Sequence, residues 1–189
     1  VLSFTDTPFE HDPAATASLT TDGGVLIIES KIIAVAPASE LLQKVPEATA
    51  YDYGDRLIMA GFVDAHAHYP QTAIIASWGK RLIDWLHSYT FPEEMRLSDP
   101  TYAGEVANCY LDLALAHGTT TMASFCTTAP SSVNAYFETA GKRGMRVVGG
   151  KTCMDRNAPA GLIDTAQRAY DESKELIDRW HNKGRATYA

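Results

Sequence analysis

Residues 61–68 read Gly61-Phe62-Val63-Asp64-Ala65-His66-Ala67-His68 and close an almost continuously apolar run that begins at Leu57. Such a run predicts a strand over Leu57–Ala67 covered on both faces, as in a parallel sheet. Residues two apart on a strand project to the same side. His66 and His68 therefore share a side, and neutral imidazole is the commonest protein ligand for zinc. Asp64 has the same parity and is a candidate acceptor for an imidazole N–H. A His-x-His pair taken alone is equally well explained by two unrelated histidines at a strand end. The apolar strand that delivers the pair, and Asp64 beside it, favour a metal site.

Downstream the rhythm alternates. Asp99-Pro100 opens a helix that runs through Tyr102, Val106, Tyr110 and Leu113 to Gly118. A strand follows at Thr119–Phe125, then a helix capped by Ser131 or Ser132, with Val133, Tyr136, Phe137 and Ala140 on one face. Lys142-Arg143-Gly144 supplies its basic last turn and closing glycine. A third strand spans Met145–Lys151, and a last helix carries Leu162, Ala166, Ala169, Ser173, Leu176 and Trp180 as far as Gly184. Ala186–Ala189 begins a fourth strand. This alternation predicts an α/β fold with a parallel sheet, either open and doubly wound or closed as an eight-stranded barrel. A closed barrel takes about 250 residues, so on the barrel reading residues 58–189 hold three strand–helix units and the start of a fourth.

Upstream the signals are short and extended. Val25–Glu29 and Ile32–Ala36, parted by Ser30-Lys31, predict a hairpin. Ser39–Lys44 suits a short helix, Ala50–Tyr53 a further strand, and Leu2–Phe4 with Ala17–Leu19 two more. Residues 1–57 thus form a small β-rich unit and residues 58–189 a second domain.

Charge narrows the partners. The chain has 189 residues, with 16 Lys+Arg against 23 Asp+Glu and a net charge of −7. That surplus opposes a phosphate-neutralising surface, so nucleic acid is not an expected partner. No apolar run approaches the roughly 20 residues that span a bilayer, so no membrane is expected either. Cys109, Cys126 and Cys153 are odd in number and far apart, which fits neither a disulfide framework nor a zinc ribbon and suits a reducing cytoplasm. The first residue is Val1 and no basic-then-apolar leader follows it, so a piece of a longer, non-secreted protein is expected. His11 falls in a loop, and His87, His117 and His181 fall on or beside helices, away from the His66–His68 pair.

Gly61–His68 resembles the first-strand signature of the amidohydrolase superfamily. His68-Tyr69-Pro70-Gln71, Trp85–Glu93, Gly118-Thr119-Thr120-Thr121, Gly150–Asn157 and Gly184–Ala189 are similar to its guanine deaminase branch. The likeness covers essentially the whole chain and is weakest before Val25. Ala60 departs from it, standing where proline is usual. The resemblance implies an incomplete (β/α)8 TIM barrel, preceded by part of a small β-sandwich domain. It implies hydrolysis of guanine to xanthine and ammonia with one Zn2+ per active site, His66 and His68 being two of the metal ligands. Gln71 would contact the purine, as its carboxamide offers one acceptor and two donors. Trp85, Phe91 and Tyr69 are weaker candidates, since Trp85 and Tyr89 also fit one helical stripe. The acid/base glutamate, the remaining ligands and an Arg-Phe purine clamp belong to later strands in the family. No catalytic residue is therefore expected in this chain, and the 189 residues alone are expected to be inactive. Asp155-Arg156-Asn157 fits a turn and helix cap as well as it fits support for the site. A homodimer is implied for the complete protein. A related hydrolase of another heterocycle, or a non-catalytic amidohydrolase-like piece, are the alternatives weighed.

Overall fold

Downstream of residue 60, each strand after the first pairs with the strand before it. The computed structural model of the chain describes residues 1–7 and 9–189, in two compact units, Val1–Ala60 and Gly61–Ala189.

The first unit contains β1 (Leu2–Phe4), α1 (Pro13–Thr16), β2 (Ala17–Leu19), β3 (Gly23–Ile28), β4 (Lys31–Pro37) and α2 (Ala38–Lys44). β1 pairs antiparallel with β2, and β3 with β4. The hairpin turns at Glu29-Ser30, one residue earlier than the sequence predicts. Both take positive φ, 49° and 62°, as a two-residue turn matched to strand twist requires. A register shift between Leu26 and Ile27 absorbs the odd residue. Residues 50–53 form no strand, and Tyr51 and Tyr53 lie exposed without a pairing partner among the described residues. Residues 57–61 form none either. Only a single bridge joins Leu2 to Met59, with the Leu2 N–H donating to the Ile58 carbonyl at 2.9 Å.

The second unit begins with β5 (Phe62–His68) and a 3-10 turn (Tyr69–Ile74), followed by α3 (Leu82–Trp85), a π-helical turn (Leu86–Thr90) and α4 (Phe91–Arg96). Then come α5 (Pro100–Ala116), β6 (Thr119–Phe125), α6 (Pro130–Arg143), β7 (Arg146–Gly150), α7 (Ala166–Trp180) and β8 (Ala186–Tyr188). The four strands form one parallel sheet in the order β5-β6-β7-β8. Gly61 lets β5 approach β6 closely, because a Cβ there would lie 2.1 Å from Thr120 Oγ1. Coverage on both faces, expected for the first strand, holds better for the inner strands, where Met122 and Val147 are buried. Among the described residues β5 pairs with β6 alone, and Phe62 and Val63 remain exposed.

Helix ends follow local chemistry. The Asp99 carboxylate accepts the Thr101 N–H at 2.9 Å, and Thr165 Oγ1 accepts the Arg168 N–H at 3.1 Å. α6 starts earlier than expected, at Pro130. Ser132, predicted as a cap, instead accepts the Thr127 N–H at 3.0 Å and donates to the Ala129 carbonyl at 2.8 Å. Gly144 closes α6 with φ 65°. Leu162 belongs to a separate 3-10 turn, not to α7.

The core lies between the sheet and helices α5 and α6, built from Tyr69, Leu111, Met122, Tyr136, Phe137 and their neighbours. Beyond β7 a buried charge pair fixes the long connection to α7. The Lys151 ammonium, fully buried, pairs with the Asp164 carboxylate and lies 3.3 Å from Glu172. The half-exposed Arg168 reaches the same Asp164 at 2.7 Å. Breaking a buried pair strands the remaining charge, whereas an exposed partner is screened by water. Asp164→Ala is therefore expected to cost about 3–5 kcal/mol of stability and Arg168→Ala at most about 1 kcal/mol, measured by urea unfolding.

Candidate active site

β5 carries the two histidines to its C-terminal end. A register irregularity between Asp64 and Ala67 sets two residues of β5, Ala65 and His66, against Ala123 of β6. There the Asp64 carboxylate accepts the His66 backbone N–H at 3.0 Å. Asp64 thus steadies the backbone at this irregularity rather than an imidazole, the role the sequence suggests.

The rings of His66 and His68 lie 5.2 Å apart, edge to face. Phe125, at the end of β6, packs on both, at 5.6 Å from His66 and 5.1 Å from His68. Burial first, and then His66, lower the His68 pKa from its usual value, favouring the neutral form that a metal ligand needs. Two imidazoles 5.2 Å apart at one strand end suit a divalent ion such as zinc. Among the described residues no cluster of three or more His, Cys, Asp or Glu could hold a metal. His117 is occupied by the Leu113 carbonyl at 2.8 Å and His181 by the Tyr188 carbonyl at 3.1 Å. His87 packs on Phe91 at 5.3 Å, and His11 lies 3.4 Å from Asp6 in the first unit.

Tyr69 is a core residue. It is wholly buried, its ring stacked on Tyr136 at 5.2 Å. Its N–H donates to Ser124 Oγ at 2.9 Å and its hydroxyl to the Ser132 carbonyl at 2.6 Å. The strand end places His68 outward and hence its successor inward, into the core. Phe91 is likewise buried, while Asp155 and Arg156 are exposed and meet each other at 3.8 Å.

Beside His68 lies a cavity of about 450 Å³ lined by His68, Gln71, Ile75, Ser77, Trp85 and Tyr110, among others. Trp85 Nε1–H donates to Ser77 Oγ at 2.8 Å. Its close seat depends on Gly79, where a Cβ would lie 2.4 Å from the Trp85 Cβ. Tyr110 reads in the sequence as one residue of a helical stripe, and no local signal marks it as cavity lining. Gln71 Nε2–H donates to Glu94 Oε1 at 3.2 Å. No local signal marks Glu94, because a glutamate in the first turn of a helix looks like a solvated charge, yet it is buried.

An amidohydrolase family model matches residues 57–188. The guanine deaminase of Escherichia coli is 43% identical over 169 residues, covering 89% of this chain and 38% of that protein. The crystal structure of guanine deaminase from Bradyrhizobium japonicum superposes with a TM-score of 0.93 at 38% identity, over 100% of this chain and 41% of that one. A guanine deaminase from C. acetobutylicum, solved with guanine in its active site, gives 0.81 at 26% identity, over 94% of this chain and 42% of that one. An adenosine deaminase from Xanthomonas campestris with bound zinc shares the fold, at a TM-score of 0.71 and 19% identity over 94% of this chain and 39% of that one. The chain spans about two fifths of the length of the curated relatives it matches.

Burial raises the Glu94 carboxyl above its usual 4.5, and the Gln71 N–H opposes that rise. The folded state thus holds the proton more tightly than the unfolded chain, so this group's contribution to stability falls as pH rises from about 4.5 through the raised value. Glu94→Gln is expected to remove that slope. Its stability relative to the parent, followed by urea unfolding across this range, should increase with pH.

Proposed function

The chain belongs to the amidohydrolase family, and on that footing we propose that it forms the first part of a zinc-dependent hydrolase converting guanine to xanthine and ammonia. The observation that carries this reading is the convergence of His66 and His68 at the end of β5, with His68 facing a cavity also lined by Gln71 and Trp85. Similarity to guanine deaminases over 89% or more of the chain supports the choice of substrate. In this reading the four-stranded sheet is the opening part of a (β/α)8 barrel, and the first unit is part of a small β-sandwich domain.

His66 and His68 would hold the zinc, with Phe125 fixing the two rings from one side. A zinc ion held there supplies Lewis-acid activation of water near neutral pH. Gln71 reads the purine edge with the carbonyl and the N–H left after its bond to Glu94. Trp85, tethered to Ser77, gives the flat ring a face to stack on. Proton delivery to the departing amine needs a group within reach of the reacting atoms. Glu94 sits behind Gln71 and Glu93 is engaged elsewhere, so the described residues bind and hold rather than transfer protons. Three free thiols suit a reducing cytoplasm, and among the described residues no helix is long and apolar enough to cross a membrane. Pairing of two copies in the complete protein belongs to the same proposal.

The full-length protein is expected to release ammonia from guanine and not from adenine or cytosine. His68→Ala should weaken zinc binding by more than about a hundredfold, beyond what an outer partner of a ligand contributes, as read by metal analysis. Catalytic zinc takes three protein ligands and the described residues offer no such cluster, so the 189-residue chain alone should give no turnover. Ammonia release by that chain would overturn the assignment.

A further inference from the structure

Two adjacent glutamates of α4 have opposite surroundings. The Glu93 carboxylate is held by Arg96 at 2.9 Å and by the Tyr102 hydroxyl. Glu94 is also buried, but has no ion pair among the described residues, and Gln71 is its one side-chain hydrogen-bond partner there. Burying a carboxylate without a cation is costly, and this one stands directly behind a residue that lines the cavity. Glu94 itself does not line it.

An ionised carboxylate accepts hydrogen bonds and donates none. Facing an ionised Glu94, the Gln71 carboxamide turns its NH2 group inward, where Nε2 lies 3.2 Å from Glu94 Oε1, and its carbonyl oxygen away. A terminal amide without such a partner can exchange the positions of its oxygen and nitrogen at little cost. We propose that Glu94 is a positioning residue that locks the Gln71 carboxamide in one orientation, so that the cavity selects purines whose edge carries donor and acceptor in one order. The inference rests on the reading above that Gln71 contacts the base. A 6-oxopurine presents the N1–H donor beside the O6 acceptor, and a 6-aminopurine presents the N1 acceptor beside the amino donor. A locked amide matches one order, and a freely turning amide accommodates both.

The test uses the zinc-loaded full-length protein and the inhibition constants of hypoxanthine and adenine as probes of the two edges. Glu94→Gln keeps the shape of the side chain but can donate as well as accept. It is expected to bring the adenine-to-hypoxanthine ratio toward unity by about tenfold, the scale of one bidentate amide contact, with zinc content unchanged. Glu94→Asp keeps an acceptor-only group and should retain the parent's preference. An unchanged ratio in Glu94→Gln, alongside weaker binding of both probes in Gln71→Ala, overturns the positioning role and leaves the Gln71 contact standing. Unaltered binding of both probes in Gln71→Ala overturns the contact itself, and the positioning role with it.

Discussion

The position of the two histidines is set by the residue that follows them. Tyr69 is sealed in the core, its ring against Tyr136 and its two polar ends satisfied by Ser124 and the Ser132 carbonyl. Sliding the chain by one residue would carry that phenol toward solvent, orphan two buried partners and turn the imidazoles to the opposite face. The anchor therefore acts on the site without touching it. Ser124 belongs to β6 and Ser132 to α6, so one tyrosine binds the end of β5 to the next strand–helix unit.

Around this anchor, side chains substitute for backbone pairing. Ser132 closes the Thr127 turn, Thr152 Oγ1 donates to the Cys126 carbonyl at 2.5 Å, and the Lys151–Asp164 pair fixes the segment after β7. Irregular backbone near a site must find partners somewhere, and here buried hydroxyls supply them, while a buried ion pair ties down the segment after β7. The same economy explains Glu94. A carboxylate without a cation is tolerable where an amide N–H meets it, and the amide then loses its freedom to turn.

What the sequence made legible was periodic or locally capped. β6 falls on Thr119–Phe125 as expected, and α5 begins after Asp99 because that carboxylate reaches a free N–H of the first turn. The His-x-His parity survives in the structure although the strand starts at Phe62 rather than Leu57. The errors came where tertiary contacts outvote local pattern. Ala50–Tyr53 has strand-forming residues but nothing to pair with, and Ser132 serves a turn rather than a helix end. At the site, strand parity pointed to His66 and His68, and the family resemblance to Gln71 and, more weakly, Trp85. Burial of Tyr69 and Glu94 could not be inferred, since both depend on α4, α5 and α6 closing over the turn that follows β5.

The spatial order of the second unit's strands is also their order along the chain, and every pair is parallel. Each strand after β5 has one neighbour that precedes it in the chain, so the sheet can be laid down from the N-terminus in the direction of synthesis. A permuted order would leave an early strand waiting for a late one, with its amides open to other chains. Vectorial assembly of this kind limits how long the edges of β6 and β7 stay uncovered while translation proceeds.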